Sequence, residues 1–352
     1  MRFGIFSVVD HYPNEMNRTE SQFVAELCEQ AELADELGFH SFWIAEHHFH
    51  EYGLIPRPAI MLAALAKCTK RIRLGSAVAV LPFDNPLRTA EDFAMVDILS
   101  DGRLDFGVGS GYLQHEFAGF NLTTDERRER FDEALSIIRE AWTGNAVDFD
   151  GKYNKITNTK INILPLQTPE PPVHIAVLRN EVAPFVGKQQ VAMMLIPYAT
   201  TDSMTQLKDT CTSYTNAYND ASKGEESNYA IEAVKARQQI SFGLHTYCAE
   251  STDIARSFAR PFMDRYVRTR LYAKQRSFEE LVEKNLLAVG DTNEIIRVAR
   301  LYEECGLTDF LMIMNFGGLP HAAVLQSIQL VAEKVLPEFA GHSTEQKSEA
   351  PA

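Results

Sequence analysis

The chain has 352 residues, 45% of them hydrophobic, and its 34 Lys and Arg stand against 48 Asp and Glu for a formal net charge of −14. This acidic balance excludes a general affinity for nucleic acid or anionic lipid, so a phosphate-bearing partner has to be caught at a local site. The five cysteines, Cys28, Cys68, Cys211, Cys248 and Cys305, are odd in number and form no CxxC pair, which argues against a disulfide framework or a zinc knuckle and suits a reducing compartment.

Met1 runs directly into an apolar segment with no leader pattern, and no apolar run approaches the roughly 20 residues that span a bilayer, so cytoplasm is the expected location. Phe3 to Val9 reads as a strand. Phe23, Leu27, Ala31 and Ala34 then recur at helical spacing, with Thr19 and Ser21 available as caps and Gly38 as the stop. "SFWIA" is a second buried strand, Pro58 to Ala66 a helix opened by proline, "IRLGSAVAVL" a third strand and Pro86 to Leu99 another helix. "GRLDFGVG" makes the fourth strand and Arg127 to Trp142 the helix after it. "VHIAV", "VAMMLI", Ile240 to Tyr247 and "TDFLMIMNF" are the last four strands, followed by a helix over Ala322 to Val335.

Eight apolar strands, most followed by a helical pattern, predict a parallel sheet covered by helices, and eight such units favour a (β/α)8 TIM barrel of class α/β over an open sheet. Two insertions exceed the minimal barrel. "GNAVDFDGKYNKITNTKINILPLQTPEPP" after strand four reads as a hairpin-like flap, and Ser251 to Leu287 after strand seven carries an extra helix with the basic run "RYVRTRLYAKQR", long enough for a lid. Residues 1–340 then form one domain and the polar segment 341–352 a disordered tail.

In such a barrel, catalytic groups sit where strands end, which places the "EHHFHE" stretch at the mouth. A metal site is one reading, but there is no HExxH, and adjacent His47 and His48 point to opposite faces of an extended segment. Histidines merely satisfied at a strand end are a second reading. Acid/base work is the third, since imidazole titrates near neutrality and a neighbouring carboxylate fixes its tautomer. "GVGSGY" is not a dinucleotide fingerprint, because GxGxxG would need glycine at Tyr112 or Gln114. It is a glycine-rich strand exit where backbone can approach a flat or anionic ligand, or a plain tight turn. "ERRERFDEAL" puts three arginines at a helix start. A solvated charged face is the common meaning, and Arg128 is the one placed to offer a fork of donors to phosphate.

Taken together, "FWIAEHHFHEYGL", "LGSAVAVLPFDNPLRTAEDFAMVDILSDGRLDFGVGSGYLQHEFAGF", "ERFDEAL" and "AVGDTNEIIRVARLYEECGLTDFLMIMNFGG" resemble the bacterial luciferase-like flavin monooxygenases, the alkanal-oxidising luciferase α subunit among them. The resemblance is dense from Met1 to Trp142, thin from His174 to Leu287, and recovers beyond. It implies reduced FMN (FMNH2) bound at the C-terminal mouth and O2 activated as a flavin C4a-peroxide that oxygenates a small organic substrate. His47 is similar in position to the family's catalytic base, with Glu46 and His48 completing the motif. Ala77 and Val78 resemble a non-proline cis pair beside the isoalloxazine ring, Arg128 a phosphate-holding arginine, and Gly111 and Tyr112 backbone phosphate contacts. The α subunit's cysteine and arginine are replaced here by Gly109 and Ser110, so a wider pocket is expected at 109 and the lost cation is assigned to Arg179. The resemblance also implies a homodimer through the helices after strands two and three and a separate NAD(P)H:flavin reductase, since the chain shows no nicotinamide fingerprint; the histidine spacing itself argues for no metal. A deazaflavin-dependent hydride-transfer enzyme is the alternative that EHHF leans against; a non-catalytic flavin-binding relative is the one that His47 argues against.

Overall fold

The computed structural model describes residues 1–50, 53–222, 238–270 and 275–342. Eight parallel strands close on themselves: β1 (Arg2–Ser7), β2 (Ser41–Ile44), β3 (Arg73–Ser76), β4 (Leu104–Gly109), β5 (Val173–Val177), β6 (Ala192–Leu195), β7 (Ile240–Cys248) and β8 (Asp309–Ile313), with β8 pairing back onto β1. The protein is therefore the (β/α)8 barrel that the strand pattern predicts. Each predicted strand is present.

Local chemistry sets the helix ends. Thr19 caps the helix Glu20–Glu36 in a reciprocal box with Gln22, and Gly38 (φ +84°) turns the chain out of it. Proline opens the helices Pro58–Cys68 and Pro86–Leu99, the latter with Asn85 accepting from the Leu87 and Arg88 N–H groups. The lumen is packed rather than hollow. Trp43 donates to the Ser41 hydroxyl at 2.8 Å and meets the His174 ring at 5.0 Å, and a Cβ on Gly75 would come within 2.1 Å of the indole.

Three differences from the sequence expectations have physical reasons. The third strand is not continuous through Leu81: the Ala77–Val78 peptide is cis, and beyond it only Ala79–Val80 pairs, with β4, before a 3-10 turn at Leu81–Phe83. After β7, "AVG" forms a three-residue strand Ala288–Gly290 on the edge of β7, too short to register as a pattern. The basic run of the second insertion is partly internal. The helix Thr252–Thr269 carries its start, but Arg270 is 1% exposed and Arg276 is buried, donating to the Thr201 carbonyl and Asp202. Residues 271–274 of that run lie outside the described residues. The flap after β4 is the expected hairpin, Val147–Asp150 against Lys155–Thr159. Of the expected tail, Gly341 and His342 end the last helical turn, Leu336–His342; the rest lies outside the described residues. Among the described residues no helix is long and apolar enough to cross a membrane.

Candidate active site at the barrel mouth

The chain leaves β2 at Ile44 and runs extended past Glu46, His47 and His48, whose side chains divide between two carboxylates. His48 Nε2 lies 3.0 Å from Glu46 Oε1, and the other Glu46 oxygen accepts the Val80 N–H at 3.2 Å. His47 Nδ1 lies 3.2 Å from Glu116 Oε1, which also accepts the His48 backbone N–H at 2.9 Å. The opposite-facing histidines of the sequence reading therefore serve two separate acid partners. Burial pushes the His47 imidazole below its ordinary value, Glu116 opposing and the positive charge of Arg270 adding to the depression. Burial likewise raises the Glu46 carboxyl, against the pull of His48. A neutral base and a carboxyl of raised affinity for protons thus sit side by side.

Glu116 was not singled out in the sequence. It lies on the short helix Gln114–Gly119 after β4, inside the quoted "QHEFAGF", and its only signal was an acid on a strand exit neighbouring that of His47.

Gly109 ends β4 against Val78. A Cβ at 109 would fall 2.6 Å from Val78 Cγ2, so the space expected to open beside Gly109 is filled by the Val78 side chain. The expectation of a wider pocket is corrected accordingly. Gly107 is more constrained still, with the Ser76 carbonyl 1.8 Å from where its Cβ would be, and Gly111 takes φ +71°. Gly107 and Gly109 thus let β4 lie directly on the Ser76–Val78 segment, and Gly111 lets the exit pass close to Val80 and Phe117. Tyr112 is 37% exposed at its end.

The three arginines of "ERRERF" mostly serve their own helix: Arg127 donates to the Thr124 carbonyl, Arg128 pairs with Asp132 at 2.9 Å, and Arg130 pairs with Glu126 and covers the Tyr153 ring. Arg128 is also brought together with Arg179. Both line an open cleft of about 760 Å³ with Asn180, Thr200 and Gln206. A smaller cleft of about 260 Å³ lies at the β2 exit, walled by Glu46, His48, Phe49, Phe83 and Phe120 and rimmed by Arg57 with its partners Asp84 and Asp92. Phe49 stands 62% exposed at its lip, whereas Met314 is fully buried core. Among the described residues no group of three or more His, Cys, Asp or Glu is placed to hold a metal ion.

The family model described as luciferase-like monooxygenase matches residues 1–309. The chain is 30% identical to the monooxygenase RslO1 from Streptomyces bottropensis, with a TM-score of 0.86, covering 97% of this chain and 100% of that structure. It is 26% identical over 362 residues to the oxygenase component of a flavin-dependent trigonelline monooxygenase from Acinetobacter baylyi, covering 96% of each chain. Over 170 residues, 46% of this chain and half of the relative, it is 36% identical to an F420-dependent glucose-6-phosphate dehydrogenase from Amycolatopsis mediterranei.

Proposed function

This chain belongs to the luciferase-like monooxygenase family, and from that premise we propose that it is the oxygenase component of a two-component system, taking reduced FMN from a separate NAD(P)H-dependent reductase and using O2 to oxygenate a small organic substrate. Its full-length similarity to an oxygenase component supports the division of labour. The observation that carries the reading is the paired arrangement at the β2 exit, His47 with Glu116 and His48 with Glu46, beside Ala77–Val78.

The residues present fit FMN. A flat ring is assigned to lie against Ala77 and Val78, on the segment that Gly107 and Gly109 let β4 approach directly. Arg128 and Arg179, with the backbone of Ser110 to Tyr112, are assigned to its phosphate. Bound reduced FMN supplies the electrons that activate O2. The chain's own work is protonic and structural. Glu116 holds the His47 ring by Nδ1 and fixes its tautomer, so the moving proton is at Nε2. Glu46 and His48 brace the loop carrying His47 and keep a protonatable pair next to the ring site. We assign the helices Pro58–Cys68 and Pro86–Leu99 to a homodimer contact, supported by Ile60 at 71% and Met95 at 45% exposure on them. Residues 1–340 are taken as one domain working in the cytoplasm.

A second reading, deazaflavin-dependent hydride transfer, has the similarity to the F420-dependent dehydrogenase in its favour. Anaerobic titration separates the two. Reduced FMN is expected to bind at least ~10-fold more tightly than reduced F420, and O2 admitted to the complex is expected to return the flavin to its oxidised form more slowly in the native protein than in His47→Ala. Preference for F420 overturns the proposal.

A further inference from the structure

The mouth holds a polar group that the proton machinery does not use. His245 lies on β7 two residues beyond Gly243, whose Cβ position faces Phe6 and Ile313 in the lumen, so the alternation of the strand points His245 into the barrel as well. It is 0% exposed, and neither ring nitrogen finds a hydrogen-bond partner among the described residues. Its neighbours are aromatic: Tyr266 at 4.2 Å between ring centroids, Phe316 at 5.3 Å and Tyr198 at 5.7 Å, all edge-on to it. Such ring contacts replace a lost hydrogen bond only in part, and a position selected for packing alone would carry an apolar ring. The group is orphaned in a place where orphaning is costly.

The cluster is electrostatically coupled to the site already described. Arg270 lies 4.3 Å over the Tyr266 ring, and its positive charge bears on both His245 and His47. Two of the walls, Tyr266 and Arg270, come from the insertion after β7 and its end. Burial, with Arg270 adding, pushes His245 down to about 3, so the ring is neutral at physiological pH and presents one N–H donor and one lone-pair acceptor.

We propose that His245 is a substrate-positioning residue, binding the hydroxyl or carbonyl oxygen of a planar aromatic ligand held among Tyr198, Tyr266 and Phe316. The neutral imidazole accepts from a hydroxyl or donates to a carbonyl, the rings take the flat body of the ligand, and Arg270 favours an electron-rich oxygen. The ligand displaces part of the contact that Tyr266 makes with His245. This inference rests on reading the mouth as the oxygenation site, and it names the class of molecule that enters.

The test uses p-cresol and toluene, which differ only by the hydroxyl, on the full chain without flavin. By calorimetry the native protein is expected to bind p-cresol about 10-fold more tightly than toluene, the ratio a buried hydrogen bond supports. In His245→Phe the ratio falls to within twofold while toluene affinity holds and Tm does not fall; His245→Gln keeps part of it. In protein labelled with 15N in the histidine rings, the signal lost in His245→Gln shifts with p-cresol and not with toluene. An undiminished p-cresol preference in His245→Phe, an unmoved ring signal, or no p-cresol binding to the native fold overturns the proposal. Reduced FMN affinity, measured on the same variants and expected unchanged, distinguishes failure here from failure of the flavin reading.

Discussion

Oε1 of Glu116 is shared by two residues that follow one another in sequence: it stands 3.2 Å from His47 Nδ1 and accepts the His48 backbone N–H at 2.9 Å. One carboxylate thereby sets both the ring and the loop that carries it. In Glu116→Gln the backbone contact survives through the amide oxygen, but the negative charge that favours protonated His47 is gone. The His47 pKa, already lowered by burial, falls further. If His47 works as the base, the acid limb of kcat/KM against pH moves to lower pH, and the plateau drops about 10-fold or more because the ring's proton affinity is lost. Reduced FMN binding stays. An acid limb moving to higher pH contradicts the assignment.

His245 makes the fold itself sensitive to acid. Its imidazole is held down to about 3 in the folded chain, against 6.5 for the unperturbed group. The unfolded state therefore binds the proton first, and stability falls as pH drops from 6.5 towards 3. At pH 4.5 this single group costs roughly 2–3 kcal/mol relative to pH 7, at 1.36 kcal/mol per pH unit. His245→Phe is expected to flatten the slope of unfolding free energy against pH by about one proton over that window, measured in urea. An unchanged slope means the folded ring titrates normally.

The barrel was legible because all eight strands are apolar runs followed by turn chemistry, and the helix ends carry their own caps, as at Thr19 and Asn85. The His47 and His48 division was legible from alternation alone. The residues that surround them were not, for a physical reason. Glu116, His245, Arg270 and Tyr266 come from strand ends and insertions far apart in the chain, and only closure of the barrel brings their charges onto one another. The filled space at Gly109 was hidden for the same reason: a missing side chain reads as room, whereas Val78, in the break between β3 and Ala79–Val80, occupies it.

That contact makes a stability prediction with a built-in control. Gly109→Ala places a methyl 2.6 Å from Val78 Cγ2, and a β-branched side chain has few rotamers with which to yield. Overpacking of this kind costs about 1–3 kcal/mol. Val78→Ala removes the clashing atom, so the double variant is expected to recover most of the loss relative to Val78→Ala alone. Additive costs in the thermodynamic cycle mean that the two residues do not meet.

Ile60 and Met95 are exposed apolar side chains on the two helices assigned to the homodimer. Ile60→Glu buries a charge in that contact if it forms and merely decorates the surface if it does not. Sedimentation at micromolar concentration is expected to move from dimer to the 39.6 kDa monomer in the variant, with helix content unchanged. A native chain already monomeric removes the assignment.

Arg128 and Arg179 line one cleft, to which the phosphate of the proposed cofactor is assigned. Arg128 is partly neutralised by Asp132 at 2.9 Å, and both are half exposed, so Arg179 is expected to carry more of the attraction for a dianion. Arg179→Glu reverses that charge without touching the Ala77–Val78 segment. Reduced FMN affinity is expected to fall about 10-fold or more, and the loss to shrink as salt rises and screens the cleft. Reduced riboflavin has the same ring and no phosphate, so its affinity is expected to hold. Equal losses for both ligands would place Arg179 at the ring or in the fold, and no loss for either would leave the cation missing at Ser110 without a replacement.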